Sequence, residues 1–531
     1  MKNNIIYILS FFTIFIHAQV VTGERQSSLS WNQVTKHIVL KKPDSNYINR
    51  IGSNESIAAV MIDSVIDFGG SPTIFQEGNT LVKLLKIKVK NAQQLNIYFS
   101  KFKLPPNSFL IIQNALGEFA GRFTNLNNNA FNNFAIRPLY GEEIMLEYRA
   151  PVGSANPEIE INQIGYFFRE VNEVQSSSYC EVDVNCVEGD LWKDQTRGVV
   201  RLLFKEENTS SYCSGSLLNN TSRNCNPFIY SAQHCVGNST KLDLSLSIAY
   251  FNYENSSCGS GVAFSDKTVL GLSLLASGAY DGGSDFSLMQ LATKIPLEYQ
   301  AYYNGWSLLE SENSTGVAIH HPKGDVKKIS TYNSELTTAT VSDLTSSAYY
   351  EVVWNETTSG HGVTEEGSSG APIFNQQKLV VGALSVGSSY CSKPQDPDFF
   401  GKLNYSWDNQ PDSSNRLDVW LDPIETGELN IPGSYFPCDD STLQFIPSNE
   451  IKVYPNPASA KVSLYVEQKV SSEINLEIVS SAGQTIRSVV YKKTNLLLEV
   501  IDLNSLSSGV YFFLISTNGE ITTKKVVLLK P

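Results

Sequence analysis

Residues 364–374 read TEEGSSGAPIF, two adjacent serines between glycines with a proline closing the turn. Gly/Ser runs are usually flexible loops, so the stretch is either a loop or the seat of a nucleophile, and the rest of the chain must decide. The strand-to-helix nucleophile elbow requires Gly-x-Ser-x-Gly; centred on Ser369 it fails, because Ala371 stands where the second glycine belongs. What remains is Gly-x-Ser-Gly-x-Pro. In that pattern the backbone amides of Gly367 and Ser369 can point at one oxyanion, and a small residue after the serine leaves room for substrate.

A serine nucleophile needs a base, and the chain has six histidines, one of them in the leading apolar segment. Of the others, His37 falls in a region without other candidates and reads as a surface residue. His234, in IYSAQHCVG, ends an apolar strand and precedes Cys235. A cysteine beside a histidine can mark a thiol catalyst; Cys213 lies 22 residues upstream, however, and a short disulfide would stiffen the histidine's loop, as a general base requires. Asp285, in GGSDFSLMQL, follows a Gly-Gly-Ser turn into an apolar strand. It is either a turn cap or the carboxylate that orients an imidazole. His234, Asp285 and Ser369 occur in the chymotrypsin order of His, Asp, Ser. His320 and His321, in AIHHPKGD, could be a metal pair or part of a structural loop, and His361 reads as an exposed loop residue near the mouth of the site.

The chain has 531 residues, enough for three or four domains. With 41% hydrophobic and 18% charged residues it is globular, and a net charge of −13 leaves no basic face for nucleic acid. The opening MKNNIIYILSFFTIFIHAQV, with Lys2, an apolar run over residues 5–16 and a cut after Ala18, reads as a secretory signal peptide; a retained anchor is the competing reading. No later stretch reaches 18 uninterrupted apolar residues, so no membrane span is expected once it is removed. All eight cysteines lie between residues 180 and 438. In an exported chain their even number argues for disulfides, against a metal site that would want Cys-x-x-Cys or His-Glu-x-x-His. No metal or other cofactor is expected.

Strand-like alternation fills the chain. LLKIKVK, LNIYF and EIEI, separated by turn clusters, predict an antiparallel β domain over residues 19–175 with nothing catalytic in it. VVRLLF, FIYSA, FSLMQL, YYEVVW and KLVVGALSV recur from residue 199 to about 422 and suit paired barrels or a sandwich. A polar connector carries Cys438, and residues 451–531, from VYPNPAS to KKVVLLK, predict a small sandwich.

Taken together, CEVDVNCVEGD, YCSGSLLNN, SAQHC, SDFSLMQL, IHHPKGD, VTEEGSSGAPIF and RLDVWLDP resemble the bacterial lysyl endopeptidases over residues 178 to 430. These are secreted serine proteases of the chymotrypsin fold. The resemblance implies an all-β chain with a chymotrypsin-like double β-barrel. It makes Ser369 the nucleophile, His234 the base, Asp285 the orienting acid, and the Gly367 and Ser369 amides the oxyanion hole. Ser368 stands where trypsin-type zymogens keep an aspartate, so that activation switch should be absent. Val363 occupies the place of trypsin's pocket acid; Asp398, in DFFGK, matches the family's acid from the loop after the nucleophile and would pair with a substrate ammonium. A solvated turn acid is the competing reading, with Asp396 as rival. Ser385 and Gly387 fall on the substrate-binding strand, Ser385 where the family has a histidine, which leaves lysine against arginine open. Trp354 aligns with a tryptophan other than the family's stacked one. The resemblance also implies bridges Cys180–Cys391, Cys186–Cys258 and Cys213–Cys235, and elimination leaves Cys225 with Cys438.

The expected organisation is a signal peptide over 1–18, a β pro-domain over 19–175, a protease domain over 176–435, a linker over 436–450 and a β-sandwich sorting domain over 451–531. The first β domain resembles pro-regions of such proteases, with the junction near residues 174–178. The last segment resembles the sorting domain of the type IX secretion system. The chain is then a monomer that acts on proteins or peptides, meets the secretion machinery, and ends secreted or at the cell surface. The alternative is a protease-fold adhesin without activity.

Overall fold

The computed structural model describes residues 37–438 and 450–530, apart from 71, 130, 170–176, 262, 340–343, 411, 455–457, 459, 481–483, 518–519 and 529. The expected signal peptide, most of the junction at 174–178 and most of the linker lie outside these residues. Short strands dominate, and the few helices are brief, such as Ser45–Ile51 and Lys241–Ser245.

The first unit is two packed β layers. In one, Thr80–Val89 pairs antiparallel with Glu143–Pro151 and with Thr73–Glu77. In the other, Glu158–Phe167 lies between Gln94–Lys103 and Ile57–Asp67. Leu85, Ile87, Ile97, Phe99 and Ile112 meet between them, where Phe134 stacks on Phe102 at 4.2 Å and meets Phe123 edge-on at 5.0 Å. Each such buried ring contributes roughly 2–3 kcal/mol. Two features go beyond the antiparallel β domain expected from the sequence. His37–Leu40 pairs parallel with Thr80–Val89. Further, Ile57–Asp67 pairs with Thr209–Leu218, so one sheet runs from the first unit into the second.

The second unit is the expected pair of barrels. In the first, Val199–Glu206, Thr209–Leu218, Phe228–Ala232 and Phe286–Leu291 pair in succession. Ile248–Tyr250 and then Thr268–Leu270 extend one edge, and Leu272–Gly278 the other. Gly271, at φ +91° and with a would-be Cβ only 2.9 Å from that of Ala292, turns the chain between those edges and closes the barrel. Its filling includes Leu202, Phe204, Leu217, Ile229, Val269 and Met289. In the second barrel Gly316–His320, Pro372–Phe374, Val380–Gly387, Asp398–Lys402 and Tyr349–Val352 pair antiparallel in turn. Val199, Phe228, Tyr230 and Leu288 of the first barrel pack on Trp306, Val317, Ile319 and Phe374 of the second. Disulfides join Cys180 to Cys391, Cys186 to Cys258, Cys213 to Cys235 and Cys225 to Cys438.

The C-terminal unit is one five-stranded sheet in which the long strand Lys461–Ser480 serves both halves. It pairs with Glu450–Tyr454 along its first part and with Gly509–Thr517 along its last. The register with Thr485–Asp502 slips between Glu467 and Ile474, and Leu464, Val466, Leu476, Ile478 and Phe513 from the two halves share one core. The expected sandwich is thus a single sheet folded over itself.

Candidate active site

His234 follows the strand Phe228–Ala232 at the first barrel's edge, and its loop is tied down by Cys213–Cys235. Asp285 begins the neighbouring strand region with φ +52°, a left-handed conformation that Asp tolerates better than most residues. That turn brings the carboxylate back under the histidine. Asp285 Oδ1 accepts from the His234 backbone amide at 2.9 Å, and Oδ2 accepts from His234 Nδ1 at 2.6 Å. Because a carboxylate only accepts, the proton sits on Nδ1 and leaves Nε2 as a base. Asp285 is fully buried while the His234 side chain is 40% exposed, so the pair has one dry end and one open end. Ser385 Oγ donates to Asp285 Oδ2 at 2.6 Å. The Ser385 side chain, expected at the substrate, therefore faces the carboxylate instead, and any substrate contact there falls to its backbone.

Ser369 lies in a tight double turn: Ser368 N donates to Glu365 O, and Ala371 N to Ser368 O, both at 2.9 Å. Gly370, at φ +79°, leaves no room for a side chain, since a Cβ would stand 2.0 Å from Ser231 Oγ. Ser214, on the first barrel, clamps the turn, its amide donating to Ser369 O at 2.8 Å and its hydroxyl to Gly367 O at 3.0 Å. Gly367, at φ +90°, packs against the 321–324 loop. Among the described residues neither the Gly367 nor the Ser369 amide donates to a protein acceptor. Ser369 is half-buried, and its hydroxyl makes no hydrogen bond to His234 Nε2. Of the two links that a Ser-His-Asp arrangement would need, His–Asp is closed and Ser–His is open, a looseness common in such sites before substrate binds.

Behind the turn, Ser330 Oγ donates to Val363 O at 2.8 Å and so accepts from His320 Nε2 at 3.1 Å, which leaves the neutral ring's Nδ1 to accept from Ser368 Oγ at 2.8 Å; Ser368 Oγ also accepts from the Glu365 amide at 3.2 Å. His320 and Glu181 approach to 3.8 Å, and both are fully buried. Burial, aided by the Lys328 ammonium, pulls the imidazole's pKa down to about 3. Burial, reinforced by Glu365, pushes the Glu181 carboxyl well up. Both shifts disfavour the charged forms, so burial works against an ion pair at this contact. His321 is also buried, its Nδ1 donating to Asp325 O at 2.8 Å. His361 is half-buried and meets Gln395 at 3.1 Å, so it is less open than expected.

Asp398 is wholly buried beneath Gly387 and Thr364, and five donors surround it. Oδ1 accepts from the Ser388 and Ser389 amides at 2.7 and 2.8 Å. Oδ2 accepts from Trp354 Nε1 at 2.6 Å, Thr364 Oγ1 at 2.8 Å and Ser389 Oγ at 2.7 Å. The reading of Asp398 as a solvated turn acid is thereby corrected. A Cβ on Gly387 would come within 2.7 Å of Thr364 Oγ1, so glycine keeps that wall thin. Ser389 escaped the sequence reading, and neither Thr364 nor Trp354 was given a role at Asp398. Thr364 lies within the opening stretch, and Trp354 aligned with a tryptophan of the resembled family, but nothing in the sequence linked either to Asp398.

Residues 174–401 match the family described as "Lysyl endopeptidase, C-terminal domain", and residues 452–529 match "Secretion system C-terminal sorting domain". A lysyl endopeptidase of Pseudomonas aeruginosa is 27% identical over 288 residues, covering 50% of this chain and 59% of that protein. The chain thus spans less than two thirds of that relative's length. Among solved structures, a thermostable serine protease, AL20, from an extremophilic microorganism is 13% identical with a TM-score of 0.29, covering 40% of this chain and 96% of that one. A Glu endopeptidase is 17% identical with a TM-score of 0.26, covering 39% of this chain and 85% of that one.

Proposed function

We propose, from the lysyl endopeptidase match over residues 174–401, that the chain is a secreted serine endopeptidase cutting after lysine. The observation that carries the reading is the buried Asp285 carboxylate holding Nδ1 of His234, with Ser369 in a clamped turn between two undonated amides. Ser369 Oγ attacks the peptide carbonyl while its proton passes to His234 Nε2. The oxyanion is held by the Gly367 and Ser369 amides. The imidazolium, stabilised by Asp285, then protonates the leaving amine as the C–N bond breaks. Water repeats the cycle on the acyl-enzyme, giving the acid and restoring Ser369. No cofactor enters any step.

Asp398 is the acid that selects lysine. Its two hydroxyl partners both donate to Oδ2; Thr364 Oγ1 keeps lone pairs to accept from a substrate ammonium, and Ser389 Oγ, which already accepts from the Thr364 amide at 3.1 Å, keeps one. Residues 1–18 are a signal peptide, 19–175 a pro-domain, 176–435 the protease, 436–450 a linker and 451–531 a sorting domain handled by the type IX machinery, which leaves the enzyme secreted or at the cell surface. The test is digestion of a protein substrate by the purified chain and by Ser369→Ala, with the new termini sequenced. Cuts after lysine, absent in the variant, are expected; equal digestion by both would end the reading.

A further inference from the structure

The paired histidines of IHHPKGD, residues 319–325, take no part in the chemistry proposed above, yet the segment they open lies against the turn that carries Ser369. An oxyanion is held only if the Gly367 and Ser369 amides point to one side. Each N–H points opposite to the carbonyl of its own planar trans peptide unit, so whatever grips that carbonyl aims the amide. Ser368 O accepts from Ala371 N at 2.9 Å, which sets the Ser369 N–H. Glu366 O accepts from Lys323 N at 2.5 Å, which sets the Gly367 N–H. The unit between them is gripped as well. Ser368 N donates to Glu365 O at 2.9 Å, and Gly367 O accepts at 3.0 Å from Ser214 Oγ, which itself accepts from His321 N at 2.9 Å.

The Ser368 side chain fastens the middle of this turn to the interior. It is fully buried, and its Oγ donates to Nδ1 of His320, the last residue of the strand Gly316–His320. The other ring nitrogen holds Ser330 on the paired strand Lys328–Tyr332, and Ser330 holds Val363 O. One imidazole thus ties both ends of the stretch 363–368 to a β-hairpin, and only its Nε2–H tautomer makes both bonds. We propose that His320 is a positioning residue for the oxyanion hole: through Ser368 it fixes the peptide units that carry the Gly367 and Ser369 amides, and the backbone of residues 321–323 completes the mould. The role rests on the endopeptidase reading, because an oxyanion forms only if Ser369 attacks. His320 itself touches no reacting atom.

Kinetics on a lysyl anilide separate positioning from packing in His320→Leu, His320→Asn, Ser368→Ala and the double variant His320→Leu/Ser368→Ala. Removing one oxyanion donor lowers kcat by roughly 10²–10³, and a turn that is loosened but intact should lose part of that. His320→Leu is expected to lower kcat per folded enzyme roughly 10- to 100-fold, with KM within threefold of wild type. His320→Asn, whose amide oxygen can take the place of Nδ1, should recover at least half of the loss on a logarithmic scale. The double variant should be no slower than the slower single one, since both substitutions break one bond and together they orphan neither partner of it. Falls that multiply in the double variant, an Asn variant as slow as the Leu one, or a loss in KM alone would each overturn the role. A second measurement needs no turnover: two peptides ending in lysine, one a free acid and one a primary amide, titrated onto Ser369→Ala with and without Ser368→Ala. The acid's carboxylate takes the oxyanion's place between the two amides, so it should bind at least tenfold tighter than the amide, and Ser368→Ala should bring the two within threefold. A preference that survives, or one that is missing from Ser369→Ala alone, would sink the inference. Loss of the preference with Ser368→Ala, in a chain whose wild type hydrolyses nothing, would instead count against the endopeptidase reading and leave the brace standing behind an anion site.

Discussion

Replacing Asp398 by Asn exchanges one oxygen for an amide and removes one charge from the floor beneath Gly387. An ammonium that meets the Thr364 or Ser389 hydroxyl sits roughly 5 Å from the carboxylate, and at an effective dielectric of about 20 that attraction is worth about 3 kcal/mol. In rate it corresponds to roughly 200-fold. The substitution also costs stability, because the new NH2 faces donors on whichever side it lies; one such mismatch costs about 1–3 kcal/mol. The quantity to measure is therefore the ratio of kcat/KM for a lysyl anilide to that for a leucyl anilide on one preparation, in which the concentration of folded enzyme cancels. The ratio should fall by about two orders of magnitude in Asp398→Asn, chiefly through the lysyl substrate. A ratio within threefold of wild type, in a protein with a cooperative melt, would refute the role given to Asp398.

Ser385→Ala removes one donor from the Asp285 carboxylate; steady-state kinetics should show a fall of roughly 10- to 100-fold, in kcat more than KM, for loss of a charge-assisted bond. His320 refuses a proton down to about pH 3, whereas in the unfolded chain it accepts one near pH 6.5. Its contribution is thus fully present above pH 6.5 and is lost as the pH falls toward 3, by up to about 4–5 kcal/mol. Glu181, whose pKa is raised, has the opposite sign, so the difference in urea midpoint between wild type and His320→Gln across pH 3–7 carries the histidine's share. Cys225→Ser with Cys438→Ser should lower stability by about 2–4 kcal/mol, read as a denaturation midpoint without reductant.

How much of this was legible in the chain depended on distance along it. The turn at 367–372 and the strand entry at Asp285 are set by residues within a few places of each other, and turn chemistry of that range can be read directly. The whole arrangement of Asp398 could not be: its partners Trp354, Thr364 and Ser389 are drawn from three segments, and only folding shows that they meet. Ser385 was assigned by its strand, but strand residues alternate between faces, and its face turned out to be that of Asp285. The pairing of Ile57–Asp67 with Thr209–Leu218 spans some 150 residues, and neither strand's pattern names its partner.

The bridge from Cys225 to Cys438 has a mechanical side. Ser434–Tyr435 pairs with Tyr302–Tyr303, where Tyr435 meets Tyr302 edge-on at 4.9 Å. A pull on the chain from beyond residue 438 would unzip that two-residue pairing one bond at a time were it the last attachment. The disulfide ends the load path first, on the residue that begins the approach to the strand Phe228–Ala232, so tension from a tethered tail runs into covalent bonds and the barrel that carries His234. A cut anywhere after Cys438 would likewise leave this fastening whole. The double barrel is thereby insulated from whatever is done to its tail.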